Sequence, residues 1–455
     1  MTKESILLSK SSSVLTALKK ISKNGLGFAV VVDKKNKFLG VLNDFDIRKG
    51  LVEGMNISDN ISTIYNKNPI TLTNPISDNQ IMQIMQSKAY RKVQPSFYPV
   101  INQKRKFIKI IKQDELRFSN FKINKKNSSK NSKQKKVLLI GGAGYIGSVL
   151  SNSLIKNKFK VAIFDKFIYG NKHLKKRNYE LIKGDTNNIE QLFNVIKDVD
   201  YVIHLAELVG DPLCAIRPEN TYKTNFLSTI TISNICKNLK IEKFIYFSSC
   251  SVYGSNINEK PLDETSILNP LSIYAKIKLM CEKAIMQSAD DYFKPIIVRL
   301  GTVFGYSPRM RLDLVINSLV YKAIKFKKIM VNGGNQWRPF IHLDDISKII
   351  LKILKNQRKI KGKNIYNIVG ENRRILDVAK DIKKILPSTK IIVDNKNTDK
   401  RNYKVSGRKV KKDFSFFPAV QVKKGIKSLV KNFKKNPIKN FKSKKYHNVL
   451  NSEKF

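Results

Sequence analysis

A tyrosine and a lysine four residues apart, in the string Tyr274-Ala275-Lys276-Ile277-Lys278, are the side chains of this sequence best suited to moving a proton. On a helix that spacing puts both on one face. A free phenol has a pKa of about 10. A nearby ammonium favours the phenolate, and so would a positively charged nicotinamide ring, so Tyr274 could act as a base near neutrality. Upstream, the apolar run Phe244-Ile245-Tyr246-Phe247 leads into Ser248-Ser249-Cys250-Ser251-Val252-Tyr253-Gly254. This reads as a buried strand that delivers serine hydroxyls at its carboxyl end, where open α/β sheets place their chemistry. A serine there can donate a hydrogen bond to the oxygen that the tyrosine deprotonates. In so lysine-rich a chain, Tyr-x-x-x-Lys alone carries little weight; its meaning comes from what precedes it.

What precedes it is a phosphate-binding loop. Val137-Leu138-Leu139-Ile140 reads as a fully buried strand, and it runs into Gly141-Gly142-Ala143-Gly144-Tyr145-Ile146-Gly147, with a helical pattern after it. A strand before and a helix after such a loop place free backbone N–H groups and the positive helix end against a pyrophosphate. Gly141, Gly144, Tyr145, Ile146 and Gly147 are therefore expected to bind a dinucleotide. The next strand, Lys160–Phe164, ends at Asp165. A carboxylate there accepts hydrogen bonds from the adenosine ribose and repels a 2′-phosphate, which favours NAD over NADP, although Lys166 follows directly. A third strand near 179–183 leads to Asp185, which could reach the adenine amino group.

Taken in order, GGAGYIG, FDKF, KGDTNN, HLAELVGDP (204–212), TNFLST (224–229), SSCSVYG, YAKIK, RLGTVFG (299–305) and RPFIHLDD (338–345) resemble an extended short-chain dehydrogenase/reductase of the NAD-dependent epimerase/dehydratase kind that acts on nucleotide sugars. The resemblance covers about 136–436. It implies a Rossmann-type doubly wound parallel sheet with a smaller C-terminal substrate-binding part, mostly after 300. It implies Ser249, Tyr274 and Lys278 as the catalytic set, with Lys278 also holding the nicotinamide ribose. Arg338 and Arg401 are implied as clamps for the nucleotide diphosphate, and Thr302 stands where relatives often carry an Asn near the substrate. The string SPRMRLDLVIN (307–317) is similar to a subgroup of bacterial surface-polysaccharide epimerases. A homodimer is implied as well.

Two departures from that family bear on the reaction. Members that are 4,6-dehydratases usually have an Asp-Glu pair directly after the catalytic hydroxyl residue; here Cys250 and Ser251 stand there and supply no carboxylate to expel water. Glu207 occupies a position where a small residue is common, and the sequence assigns it no role. The expected activity is epimerisation of a nucleotide-diphosphate sugar, at C4, with transient hydride transfer to bound NAD. The alternatives are a nucleotide-sugar dehydrogenase or reductase, a 4,6-dehydratase and, in another class, a nucleotide-sensing regulatory protein. The intact Ser249/Tyr274/Lys278 set argues against the last, since a sensor has no use for a base.

The rest of the 455 residues falls into segments. Residues 1–118 hold an internal repeat: FAVVVDKKNKFLGVLNDFDI (28–47) aligns with FYPVINQKRKFIKIIKQDEL (97–116) at an offset of 69. Each copy reads as strand, turn, strand and helix start, after a helical pattern marked by Val14, Leu15, Leu18 and Ile21 in the first and Ile81, Ile84 and Met85 in the second. This α+β pair resembles a CBS-domain pair. The resemblance implies an adenine-nucleotide pocket with Asp46 on the ribose, and Asn43 in place of the usual hydroxyl residue. The alternative is that Asp46 caps the following helix and the pair docks or dimerises. In the second copy the corresponding positions are Lys109, Lys112 and Glu115, so the glycine of the motif is missing. Residues 119–135, rich in Lys, Ser and Asn, read as a flexible linker, and 437–455 as a frayed basic tail.

Lys and Arg number 87 against 35 Asp and Glu, a net charge of +52. The basic residues are spread along the chain and rarely alternate with aromatics. With Lys, Asn and Ile all abundant, this reads as the drift of an AT-rich coding sequence, and no nucleic-acid partner is expected. Cys214, Cys236, Cys250 and Cys281 form no CxxC pair and the four histidines are scattered, so no metal site is expected. No signal-peptide pattern or membrane-length apolar run is found, and the expected compartment is the cytoplasm.

Overall fold

Val137 to Ile140 are all fully buried, as a strand covered on both faces requires. In the computed structural model they belong to β7 (Lys136–Ile140) of a seven-stranded parallel sheet. The structure describes residues 5–77, 80–81, 84, 97–112, 134–174, 179–255, 260–356, 364–396, 401–438, 440–441 and 443–448. The chain divides into two units, residues 1–130 and 131–455.

In the first unit, β1 (Leu7–Ser9) lies parallel to β2 (Phe28–Val32), which pairs antiparallel with β3 (Phe38–Asn43). The arrangement recurs in β4 (Leu72–Thr73), β5 (Phe97–Ile101) and β6 (Phe107–Lys112). The repeat holds at the level of single bonds. Both hairpins shift register at equivalent places, Val31/Val32 and Val100/Ile101. Both turns close with a side-chain oxygen on a backbone N–H at 2.8 Å, Asp33 on Lys37 and Asn102 on Lys106. Both put a non-glycine residue at positive φ, Asn36 at 59° and Arg105 at 56°. The two copies meet at a bridge between Lys37 and Lys106, over a core of Phe28, Val30, Val32 and Phe38 with Ile101 and Phe107. Helix α1 (Val14–Asn24) is capped by Ser13 and buries Val14, Ala17 and Ile21. Helix α2 (Asp44–Val52) follows β3 directly. Of the second copy, Met85 and Glu115 lie outside the described residues, as does most of the expected linker. Lys135, placed in that linker by the sequence, is instead paired with Asp200 at 3.0 Å and Glu242 at 2.5 Å at the edge of the second unit.

In the second unit β7 is followed by β8 (Lys160–Asp165), β9 (Tyr179–Lys183), β10 (Tyr201–His204), β11 (Lys243–Ser249) and β12 (Ile296–Leu300). With β16 (Ile365–Ile368) the spatial order is β16-β12-β11-β10-β7-β8-β9. The chain runs outward from β7 through β8 to β9, then restarts on the other side with β10. Strand order therefore reverses between β7 and β10, and a crevice opens at the carboxyl ends of strands at such a point. Residues after 300 add a small sheet of β13 (Thr302–Phe304), β15 (Trp337–His342) and β17 (Glu371–Arg374). They also form the pair β14 (Lys328–Asn332) and β18 (Lys390–Asp394).

The described part of the tail, up to residue 448, is anchored where its composition suggested fraying. Phe441 stacks on Tyr321 with ring centres 5.1 Å apart, Tyr321 OH donates to Ile438 O at 3.0 Å, and Asn448 is buried. A few well-placed anchors outweigh the polar average of the segment. Among the described residues no helix is long and apolar enough to cross a membrane, and no group of three or more His, Cys, Asp or Glu could hold a metal ion.

Candidate functional site

The glycine loop joins β7 to helix α3 (Gly147–Lys156) at the strand-order reversal. Gly141 turns at φ +82°, and its N–H donates to Phe164 O at 2.8 Å. A Cβ at Gly147 would lie 2.5 Å from Gly142 O, so only glycine lets the helix start so close to the loop. Gly141, Gly144, Tyr145, Ile146, Gly147, Asp165 and Asp185, all nominated from the sequence, line one cleft. Asp165 accepts from the N–H of Ala143 at 3.0 Å and of Phe167 at 2.8 Å, which fixes its carboxylate beside the loop. Burial raises its carboxyl above the ordinary range; those two N–H groups and Arg309 oppose the rise. Burial also raises Asp185, but the Asn187 N–H and Lys166, 3.3 Å away, outweigh it and hold that carboxyl low. Lys166 is thus spent on Asp185.

Tyr274 and Lys278, nominated from the sequence for proton transfer, lie on helix α4 (Ile273–Gln287), capped by Ser272. Tyr274, Lys278 and Glu282 recur every fourth position and so share a face. Lys278 donates to Phe247 O on β11, and Glu282 accepts from Ser248 on the same strand. Glu282 also takes Arg299 Nη2 at 2.6 Å, a pair with both side chains 2% exposed. The Lys278 ammonium lies 5.7 Å from the centre of the Tyr274 ring. It is paired at 2.5 Å with Glu207, whose other oxygen accepts from Tyr246 OH at 2.8 Å. Glu207 lines the cleft and so links the α4 face to it. Asn225 fixes the loop that carries Glu207, accepting from Leu208 N–H at 2.8 Å and donating to Leu208 O at 2.9 Å.

The ammonium expected to favour the Tyr274 phenolate, that of Lys278, is itself paired with Glu207. Burial pushes the Tyr274 phenol well above its ordinary range, with Glu207, Cys214 and Asp211 adding to the rise and Arg311 opposing it. The sequence flagged Glu207 as unusual and missed its partner.

Ser249 ends β11 and accepts from Ser251 N–H at 3.1 Å, capping the turn Cys250–Tyr253. Cys250 and Ser251 are both buried, and the Cys250 thiol donates to Arg299 O at 3.4 Å. Arg338 and Arg401 are brought together: the Arg338 guanidinium donates to Arg401 O and lies 5.7 Å from the Tyr403 ring centre. Arg401 in turn holds Asp211 at 2.7 Å, and Asp211 accepts from Ser272, the cap of α4, at 2.5 Å. The two arginines are therefore tied to the helix that carries Tyr274. Thr302 opens β13 opposite Phe340 and is not among the residues lining the cleft. Asp46, in the other unit, forms a capping box with Asn43: Asp46 N–H donates to Asn43 Oδ1 at 2.8 Å, and Asn43 N–H donates to Asp46 Oδ2 at 3.1 Å. The geometry supports the capping alternative for Asp46. Two further cleft residues had no role assigned from the sequence: Arg309, which lies in the string SPRMRLDLVIN, and Asn448.

A fold with this strand reversal, glycine loop and Tyr-x-x-x-Lys helix defines a class, and the comparisons name the family. The sequence profile of the NAD dependent epimerase/dehydratase family matches residues 137–369, so the chain belongs to that family; residues 1–53 match the CBS domain. The chain is similar to dTDP-D-glucose 4,6-dehydratase of Bos taurus, 28% identical over 70% of this chain and 92% of that one. Among solved structures it resembles a UDP-glucuronic acid 4-epimerase from Bacillus cereus in complex with UDP-glucuronic acid and NAD. That match has a TM-score of 0.60 and 26% identity, over 66% of this chain and 99% of that one. It also resembles a dTDP-glucose 4,6-dehydratase from Bacillus anthracis in complex with NAD, with a TM-score of 0.58 and 25% identity, over 66% and 97% of the two chains.

Proposed function

We propose that this protein is an NAD-dependent nucleotide-sugar epimerase that inverts C4 of a sugar joined to a nucleoside diphosphate. The observation that carries the reading is the Tyr274–Lys278–Glu207 cluster beside a dinucleotide-type cleft, on a chain with no carboxylate directly after Ser249. The cleft fits NAD: the glycine loop leaves a close approach for a pyrophosphate, and Asp165 is held where ribose hydroxyls would be read. When bound, NAD supplies a reversible hydride acceptor. Tyr274 takes the proton of the C4 hydroxyl and later returns it. Ser249 orients that oxygen. Lys278 holds cofactor hydroxyls and stabilises the phenolate as it forms, and Glu207 limits how far that stabilisation goes. Arg338 and Arg401 grip the substrate diphosphate, their planar forks matching its oxygens; Thr302 keeps its substrate role by resemblance alone, since it does not line the cleft.

The dehydratase relatives favour a second reading, a 4,6-dehydratase. It needs an acid and a base at C5 and C6, and the buried Cys250 and Ser251 offer neither a carboxylate nor ready access. Incubating the protein with a panel of UDP-, GDP- and dTDP-sugars decides between them. The proposal predicts a C4 epimer with no net reduced nicotinamide. Loss of water contradicts it, and stoichiometric nicotinamide turnover makes the protein a dehydrogenase or reductase instead.

We place the enzyme in the cytoplasm, in the synthesis of surface-polysaccharide sugars. We also propose a homodimer, for which exposed Tyr222, Leu227, Ile273 and Met280 supply apolar contacts. For the N-terminal pair we propose docking ahead of adenine-nucleotide sensing, because Asp46 is engaged in its capping box. Calorimetry of the full chain with AMP, ATP and S-adenosylmethionine tests this. A heat signal that disappears in Asp46→Ala would restore the sensing role.

A further inference from the structure

The segment after β13 is fastened to the glycine loop. Ser307 Oγ donates to Tyr145 O at 2.8 Å, Tyr145 OH donates to Gly305 O at 2.7 Å, and Asn317 Nδ2 donates to Tyr145 OH at 2.9 Å. Two residues beyond Ser307 stands Arg309, which lines the same cleft as the loop and is only 3% exposed. Its guanidinium carbon lies 3.7 Å from the Tyr169 ring centre, and its Nη2 donates to Asn448 Oδ1 at 2.7 Å. Its Nε and Nη1 are buried and take no hydrogen-bond partner among the described residues. The neighbouring arginines are treated differently: Arg311 meets Asp313 through two bonds of 3.0 Å, and Arg299 meets Glu282. Asp313 and Tyr169 favour its charge, but among the described residues no ion pair meets it directly, and a buried cation without a direct counter-charge is costly unless a ligand supplies one. Burial already pulls the Arg309 guanidinium down to about 10, with Arg311 adding to the fall.

We propose that Arg309 is a diphosphate-binding residue of this cleft, whose open Nε and Nη1 donate to the pyrophosphate of the bound dinucleotide alongside the N–H groups of the glycine loop. The inference rests on the reading that the cleft holds a dinucleotide. The two open nitrogens lie on different edges of the planar guanidinium, so each donates singly to a phosphate oxygen, while Nη2, which both two-donor edges share, is held by Asn448. Asn448 orients the guanidinium: it takes Nη2, accepts from Tyr169 OH at 2.9 Å and donates to Val209 O at 3.1 Å. The C-terminal segment is thereby a positioning element for the cofactor site, in a stretch whose composition suggested a loose tail.

The test is calorimetric titration of the full chain, freed of retained nucleotide, with NAD, ADP, adenosine and UDP. Wild type is compared with Arg309→Met and Arg309→Lys, and the melting temperature of each cofactor-free protein is recorded. Loss of a charge-assisted pair predicts that Arg309→Met weakens NAD and ADP by about 10- to 100-fold, with adenosine and UDP unchanged. Arg309→Lys, which keeps the charge and loses the two separately placed donors, falls between. The cofactor-free melting temperature of Arg309→Met is expected to hold or rise, because an unpaired buried charge has gone. Equal effects on adenosine and ADP, an effect on UDP alone, or a fall in melting temperature with unchanged NAD affinity would overturn the proposal. Wild type that binds neither NAD nor ADP would instead overturn the cofactor reading on which it rests.

Discussion

The two ends of the cleft handle buried charge in opposite ways. Where Glu207 lines the cleft the charges are matched: Lys278 pairs with Glu207 at 2.5 Å and, behind the cleft on the same α4 face, Glu282 pairs with Arg299 at 2.6 Å. Beside the glycine loop Arg309 is as deeply buried and keeps two nitrogens without a partner among the described residues. A matched pair fixes geometry and tunes a neighbour's acidity. An unmatched charge is prepared for a ligand of opposite sign. The first arrangement suits a site that shuttles a proton repeatedly, and the second suits a site that retains its cofactor.

Breaking the matched end should have the largest effect. Tyr274→Phe removes the proton carrier and is expected to lower kcat by about 10³-fold, while NAD binding measured by calorimetry stays at the wild-type level. Retained turnover would show that the matched end is not catalytic. Glu207→Gln breaks the pair while keeping its shape. Glu207 disfavours the phenolate, so removing its charge lowers the pKa of Tyr274, and the rising limb of the pH–rate profile moves to lower pH. Because Lys278 then lacks its counter-charge, stability should fall by about 3 kcal/mol, as read by denaturant unfolding. A fall in stability with an unmoved pH limb would reduce Glu207 to a structural role. The smallest effect lies outside the cleft. Asp46→Ala removes half of a capping box and should cost the N-terminal unit about 1 kcal/mol, seen in its melting transition, with turnover unchanged.

How much of this was legible depends on how far apart the partners lie in the chain. The glycine loop, Asp165 and Asp185 each end or follow a strand, so local spacing was enough to nominate them, and they line one cleft. The repeat was legible because the same turn chemistry recurs at a fixed offset, down to the Asp33 and Asn102 caps. The role of Glu207 was not legible, because its partner Lys278 arrives on a helix much later in the chain. Arg309 lies in the string SPRMRLDLVIN, which assigned it no role; its burial and two unpartnered nitrogens set it apart from Arg311 in the same string. Composition misjudged the tail for a similar reason, since Phe441 and Asn448 anchor a segment that is otherwise basic. The surroundings of Tyr274 were only half legible, because the sequence shows the lysine beside it and hides Glu207, which pairs with that lysine.

The central claim is that Tyr274 moves a proton while the hydride it frees from a sugar returns to the same carbon. It is tested most directly by supplying UDP-, GDP- and dTDP-sugars deuterated at C4 and locating the label in the product by NMR. The account predicts a C4 epimer with deuterium still on C4. Deuterium at C6 of a dehydrated sugar, or left on released nicotinamide, would contradict it.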